Sequence, residues 1–429
     1  MIAVATAMLV GMIAIALPVA VVLFILAWAL SELFGFFPLL PAMGEILWTS
    51  STEFILVAVP MFILMGEILL RSGMAREMYD GVDAWVNRIP GGLMHTNIVS
   101  CTLFSATSGS SVATAATIGT VSIPNMRRHG YSESLYLGSI AAGGTLGILI
   151  PPSINMILYG VIAEVSIRSL YLAALIPGVL LAILFSVMVA AITILRPQMD
   201  GRPRRSTWRE RLHGLKALLP PLLLFLAVVG TIYAGLATPT EAAAIGVMAA
   251  LALASARGRL TWPMLWAALE STMRITCMVM LIVLMAFFLN FVMVTIGLTD
   301  VVTSAIQDLD VPPATVILLI VAVYLVLGCF METLSLMVAT TPIIAPVVAA
   351  LGYDLIWFGV LFMILIEAAL ITPPIGVNLF VVQGVRGEAT GSIHTIMVGA
   401  LPFLAMMLAM IFLLIAVPDL ALFLPEAVR

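Results

Sequence analysis

GGTLGILIPP (residues 143–152) and LIEAALITPP (residues 365–374) decide the reading of this chain. Each is an apolar run broken at a Pro-Pro pair, and the pairs stand 222 residues apart. At the same offset Pro90 falls on Pro312, Pro124 on Pro346, and Gly130-Tyr131 on Gly352-Tyr353. Proline supplies only 24 of 429 residues, so the coincidences mark one unit written twice. Repeated and interrupted hydrophobic segments are the strongest sequence pointer to a transport site in a membrane protein.

Composition points the same way. The chain is 63% hydrophobic and 9% charged, and its apolar runs exceed 18 residues, which specifies a polytopic helical membrane protein. The runs are continuous, so a β-barrel is excluded. The only dense basic stretch is a short loop between spans, which gives nucleic-acid binding no support. Cys101, Cys277 and Cys329 lack disulfide or metal-ligand spacing and read as small core residues. His95, His129, His213 and His394 share no metal-binding pattern, and no phosphate-binding loop surrounds Lys216. Ser108-Gly109-Ser110 has no histidine on a plausible partner helix, so a serine protease is not indicated and the chain is not read as an enzyme.

Candidate spans are residues 3–31 (where Pro18 could divide one span into two), 52–71, 131–165, 170–195, 217–236, 239–256, 274–297, 354–385 and 392–418. Two stretches, 91–126 and 313–350, fit spans badly. Their first arms, 92–105 and 314–329, rise only ~21–24 Å as helix, short of a ~30 Å hydrocarbon core. Small or polar residues follow each arm: Ser105 to Ser111 in one, Met331 to Ser335 in the other. Irregular backbone at membrane depth must be buried in protein or face water, so both read as re-entrant hairpins. Close packing of small residues is the alternative for the Ser/Thr-rich tip.

Arginine sets the orientation. Residues 196–216 carry seven of the 18 Lys+Arg, including Arg202, Arg204 and Arg205, and read as a cytoplasmic loop. Counting from it, the first hairpin opens to the cytoplasm. The second opens outside, preceded by Asp300, Asp308 and Asp310 with no basic residue. The units are therefore inverted, joined by one extra crossing at 217–236, with a cytoplasmic N-terminus and an external C-terminus. The expected order is scaffold helices 1–73, an interfacial arm 74–90 and a first transport unit 91–195. The basic loop 196–216, scaffold helices with a second arm 217–273, and the inverted unit 274–429 follow. Residues 258–272, with Trp262 and Trp266, are expected to form that second interfacial arm, and for both arms an ordinary amphipathic loop helix is the alternative reading.

Proline removes an N–H and frees carbonyls along the preceding turn. Such oxygens beside Ser or Thr hydroxyls suit a small cation, while half-helix N-termini suit an anion. A kink that only shapes packing is the alternative reading. Glu67, Glu241, Glu332 and Glu367 lie in or near apolar segments, where a charge costs at least ~2.5 kcal/mol. Glu332 at the second tip is the leading candidate, whereas Glu67 and Glu241 also suit capping or pairing near interfaces.

PMFILMGEILLRSGMA (60–75), FSATSGSSVATAATIGTVSIPNMRRHGY (104–131), GGTLGILIPPS (143–153) and ITPPIGVNLF (371–380) resemble the large membrane subunit of tripartite ATP-independent periplasmic (TRAP) transporters, the DctM-like family. The resemblance covers essentially the whole chain. It implies an all-α elevator-type fold with two re-entrant hairpins, in the inner membrane of a bacterial cell. It implies partnership with a small four-helix membrane subunit (DctQ-like) and a periplasmic substrate-binding protein (DctP-like), and coupling to sodium ions. By position, it implies a first sodium site from Ser105, Ser108, Gly147, Ile150 and Pro152, and a second from Gly328, Ala369, Thr372 and Ile375. Ala369 departs from the hydroxyl residue expected there. Ser110, Ser111, Glu332, Thr333, Gly376 and Asn378 are the candidate contacts of a small organic anion. The small subunit's four spans are not in this sequence, which resembles the unfused form. A self-sufficient anion/sodium symporter of related fold and a non-transporting membrane scaffold are the competing readings.

Overall fold

A computed structural model describes residues 1–15, 17–201, 206–307, 311–329, 331–387 and 391–428. Arg202, Arg204, Arg205, Asp308 and Asp310, used above for orientation, lie outside the described residues. Every regular element among the described residues is helical. Seven helices are long and apolar enough to cross a membrane, the longest running Trp262–Thr295. A bent pair, Glu133–Leu149 and Ile154–Ile162, passes the same test as one unit and turns by 43° at its break, which makes eight if it is counted as a single span. Large apolar side chains such as Ile183, Val187 and Ile194 cover the outside of the spans, as a lipid surround requires.

Pro18 divides the first apolar run into Ile2–Ala14 and Val19–Phe34. Residues 258–272 do not form a separate arm. They run into the 34-residue helix Trp262–Thr295, ~51 Å long, because Pro263 sits in its first turn and no breaker follows. The end of the basic segment is helical and not a loop. Thr207 and Glu210 form a capping box that starts helix Trp208–Phe225, so Arg209, Arg211 and Lys216 are helical. The first arm does form a helix, Met74–Val86, but much of it is covered by protein. Its Tyr79 hydroxyl donates to Asn97 (2.9 Å) and Ser122 (3.2 Å) in a buried network that includes Tyr136.

Both units contain a helical hairpin. In the first, Leu93–Ser108 returns as Ser111–His129, and Ser122 donates to Asn97 across the two arms. In the second, Pro313–Leu327 returns as Thr333–Ala350, joined by a hydrogen bond from Tyr324 to Thr340. The first tip is shorter than its composition suggests. Ser105, Ala106, Thr107 and Ser108 are helical, and only Gly109 and Ser110 interrupt the chain. Gly109 takes a left-handed φ of 60°, and Ser110 caps the returning helix by accepting from the Ala113 N–H. At the equivalent position Glu332 caps the second returning helix through the Ser335 N–H.

Leu355–Leu370 and Val377–Arg386 form the second broken helix. Residues Trp357 to Leu370 are buried without exception, as expected of a helix that is apolar on every face. The two broken helices lie side by side and antiparallel. Asn378 donates to the Ala141 carbonyl (3.2 Å), Glu367 accepts from the Ile148 N–H (2.8 Å), and Tyr159 donates to the Leu355 carbonyl (2.8 Å). As one number rises the other falls. Equivalent elements running in opposite directions make this an inverted repeat.

Candidate functional site

The Pro-Pro breaks set the local backbone. Pro151 and Pro152 cannot donate to the carbonyls one turn back, so those of Gly147 and Ile148 lose their helical partners. Ile150 closes the helix with an N–H to Leu146 (3.1 Å). Ser153 then caps Ile154–Ile162 by accepting from the Met156 N–H (3.4 Å). Both Pro-Pro bonds are cis.

The first hairpin tip is pressed into this break. A Cβ built on Gly147 would stand 2.8 Å from Ser110 and Ser111 backbone atoms, and one on Gly109 would stand 2.9 Å from the Pro152 carbonyl oxygen. Ser108 donates to or accepts from Thr114 (3.0 Å), and its backbone passes close to Gly66 of helix Ala58–Arg71. Ser105 is fully buried and its hydroxyl has no partner. Thus Ser105, Ser108, Gly147, Ile150 and Pro152 gather on the last turn of one hairpin arm and the break facing it.

The second group gathers likewise, with one exception. Gly328 abuts the Ala369 side chain, Cys329 Sγ lies 3.8 Å from the Pro373 carbonyl oxygen, and Thr372 donates to the Ala368 carbonyl (2.7 Å). Ile375 is 42% exposed. With alanine at position 369, any ligation there falls to backbone oxygens and the Thr372 hydroxyl.

A cavity of about 130 Å³ joins the two units. Its wall includes residues 108–113 of the first tip, Ile154 and Asn155 after the first break, and residues 332–334 of the second tip. Ile63, Gly66, Glu67 and Leu70 of Ala58–Arg71 close one side, with Ile275 of Trp262–Thr295. The N-termini of three helices therefore meet at one cavity, and an exposed helix N-terminus favours an anion. Of the six candidate substrate contacts, Ser110, Ser111, Glu332 and Thr333 line it. Gly376 and Asn378 do not. Asn378 is buried against Ala141 in the packing between the broken helices.

Asn155 is a cavity residue that the sequence reading did not single out, and its Nδ2 is buried without a partner. Its position just past Pro-Pro-Ser was the available signal. Glu67 pairs with Arg71 (3.0 Å), as an interfacial residue would, yet also lines the cavity. Glu241 serves its capping box with Thr238, a structural role. Glu367 is fully buried and its Oε1 accepts from Ser111 Oγ (3.0 Å) as well as Ile148. Among the described residues no three His, Cys, Asp or Glu side chains form a metal cluster. Cys101 and Cys329 are buried, whereas Cys277 is exposed on its helix, against the core reading.

Residues 6–420 match the family of the tripartite ATP-independent periplasmic transporter, DctM component. The chain belongs to the DctM family. This DctM-family chain is 36% identical over 382 residues to the C4-dicarboxylate TRAP transporter large permease protein DctM of Pseudomonas aeruginosa, covering 89% of this chain and 88% of that one. It is 34% identical to the sialic acid TRAP transporter large permease protein SiaM of Vibrio cholerae, over 87% of both. It is 30% identical to the isethionate TRAP transporter permease protein DctMQ of Oleidesulfovibrio alaskensis, over 95% of this chain and 64% of that one. Its fold is similar to that of the Alcanivorax borkumensis YdaH transporter, with a TM-score of 0.63 at 16% identity, over 93% of this chain and 96% of that one. The DctM-family chain is thus a TRAP transporter large permease subunit and a multi-pass membrane protein, and its relatives are permeases rather than enzymes.

Proposed function

We propose that this permease takes up a small organic anion together with sodium ions, through an elevator-type movement of the two hairpins and broken helices past the remaining spans. The observation that carries the reading is the convergence of three helix N-termini on one cavity, beside a first break where the Gly147 and Ile148 carbonyls have lost their helical partners. The N-termini favour the anion. The carbonyls freed near Gly147 and Ile148, with the unpartnered Ser105 hydroxyl, offer the hard oxygens that a small cation needs. Sodium is cargo in this reading, held between tip and break while the substrate occupies the cavity. The group Gly328, Ala369, Thr372 and Ile375 is the second sodium site.

Several relatives are named for C4-dicarboxylate, sialic acid and isethionate, which supports a carboxylate or sulfonate substrate. The relative named DctMQ, longer than the matched region, supports a separate or fused small membrane subunit as partner. A periplasmic substrate-binding protein delivers the anion on the outer face of the inner membrane. The hairpins are re-entrant, the first opening to the cytoplasm and the second outside. The cavity lies alongside the Arg71 end of helix Ala58–Arg71, the cytoplasmic end by its basic flank. That position matches a state in which the site has moved inward.

Two sodium ions entering with a monoanion carry one net charge, worth ~2.3 kcal/mol at 100 mV. That sustains roughly fifty-fold accumulation before any sodium gradient, since 1.4 kcal/mol is a factor of ten. The test is uptake into proteoliposomes holding the permease, small subunit and binding protein. Uptake is expected to need external sodium; equal uptake in potassium or choline rejects the coupling.

A further inference from the structure

Glu367 belongs to the second unit by sequence and to the first by contact. It lies two residues before Ala369 and five before Thr372 on the second broken helix. Its carboxylate reaches across to the first unit, where Oε1 accepts from Ser111 Oγ (3.0 Å) and from the Ile148 N–H (2.8 Å). Ser111 begins the returning arm of the first hairpin, and Ile148 stands in the last turn before the first break. One oxygen thus ties tip to break at the place where the first sodium site is drawn. The side chain is fully buried, and Oε2 has no hydrogen-bond partner.

The pseudo-symmetry sharpens the point. The residue equivalent to Glu367 in the first unit is Thr145, whose carbonyl is also approached by Ser111 Oγ (3.5 Å). The same serine therefore touches matching positions on both broken helices. No corresponding clamp from the first broken helix onto the second tip is present among the described residues, so the tie runs one way. A buried carboxylate in an apolar helix is costly to keep, and a residue serving packing alone would be apolar.

We propose that Glu367 is a positioning residue that couples the two sodium sites: ordering of the second break by its ion sets the Glu367 carboxylate, which then holds Ser111 and Ile148 in the geometry the first ion requires. This rests on the sodium-coupled reading above. It makes sodium binding cooperative, because the first site inherits a constraint that the second ion has already imposed.

The experiment is sodium-dependent uptake by the complete three-component system in proteoliposomes, with the Hill coefficient and half-saturating sodium measured for each variant. Wild type is expected to give a Hill coefficient near two. Glu367→Ala is expected to lower it toward one and to raise half-saturating sodium about tenfold. Glu367→Gln keeps an acceptor oxygen for both donors and is expected to restore most of the cooperativity. Unchanged sodium dependence in Glu367→Ala overturns the proposal, as does a Glu367→Gln variant no better than Glu367→Ala. Should Glu367→Ala fail to assemble, Ser111→Ala removes the tip-side donor alone and is expected to reduce the Hill coefficient; an unchanged value contradicts the proposal. A wild-type Hill coefficient of one, with sodium still required, rejects this inference and leaves the functional reading intact. Uptake indifferent to sodium rejects both.

Discussion

Two residues at the first tip test whether its unpartnered oxygens serve packing or ligation. Removing a buried hydroxyl that has no partner is ordinarily neutral or stabilising, because the desolvation penalty goes with it. Ser105 is such a hydroxyl. Ser105→Ala is therefore expected to melt no lower than wild type in potassium chloride, yet to lose the stabilisation that sodium gives wild type. An ion at a hundred times its Kd adds about 2.7 kcal/mol, well within reach of thermal unfolding followed in both salts. Gly147 tests the contact itself. Its added Cβ would stand 2.8 Å from the Ser110 and Ser111 backbone, whereas the one on Gly143 would stand 3.0 Å from the end of the Cys101 side chain. Gly147→Ala is expected to cut uptake by more than tenfold and Gly143→Ala by much less, with insertion normal in both. The Pro-Pro breaks were legible from sequence because their chemistry is local, whereas Ser105 was singled out by the family resemblance. Glu367 was legible only as a buried charge, since its partner Ser111 lies 256 residues away. Nothing local in the sequence reveals that the Asn378 amide, expected at the substrate, donates to the Ala141 carbonyl.

At the level of elements, Glu332 combines two tasks that separate by substitution. It caps Thr333–Ala350 through the Ser335 N–H (3.0 Å) and places a negative charge at the cavity. Glu332→Ala is expected to cost about 1 kcal/mol of stability through loss of the cap. Glu332→Ser keeps a capping oxygen and is expected to melt within a few tenths of a kcal/mol of wild type. With the charge gone, both variants are expected to lower the KM for an anionic substrate, measured as initial uptake rates. Helix limits were readable where a breaker stood in the sequence, as at Pro18 and Gly130, but the capping box at Thr207 was missed, so the helix begins at Trp208 and not at 217. They were not readable at the first tip. Ser105, Thr107 and Ser108 have weak helix propensity, yet packing against the first broken helix carries the helix to Ser108. Residues 258–272 were misjudged for the opposite reason. Their amphipathic pattern suggested an interfacial piece, but with no breaker the helix continues into the span.

For the whole molecule, the offset of 222 residues gave the duplication and the arginine distribution gave its sense. The antiparallel pairing of the broken helices then agrees with the inversion, without any reference to a membrane. Sequence alone did not show that both tips border one cavity, because that depends on how two units pack. If that cavity is the transport site, it must open to each side of the membrane in turn. Ser110→Cys, in a background with Cys101, Cys277 and Cys329 replaced, places a thiol on its wall. The decisive measurement is its labelling by a membrane-impermeant thiol reagent applied from each face, with and without sodium and the loaded binding protein. Reactivity from the cytoplasmic face under one condition and from the outer face under the other is the expected result. Reactivity confined to a single face under every condition would contradict the account.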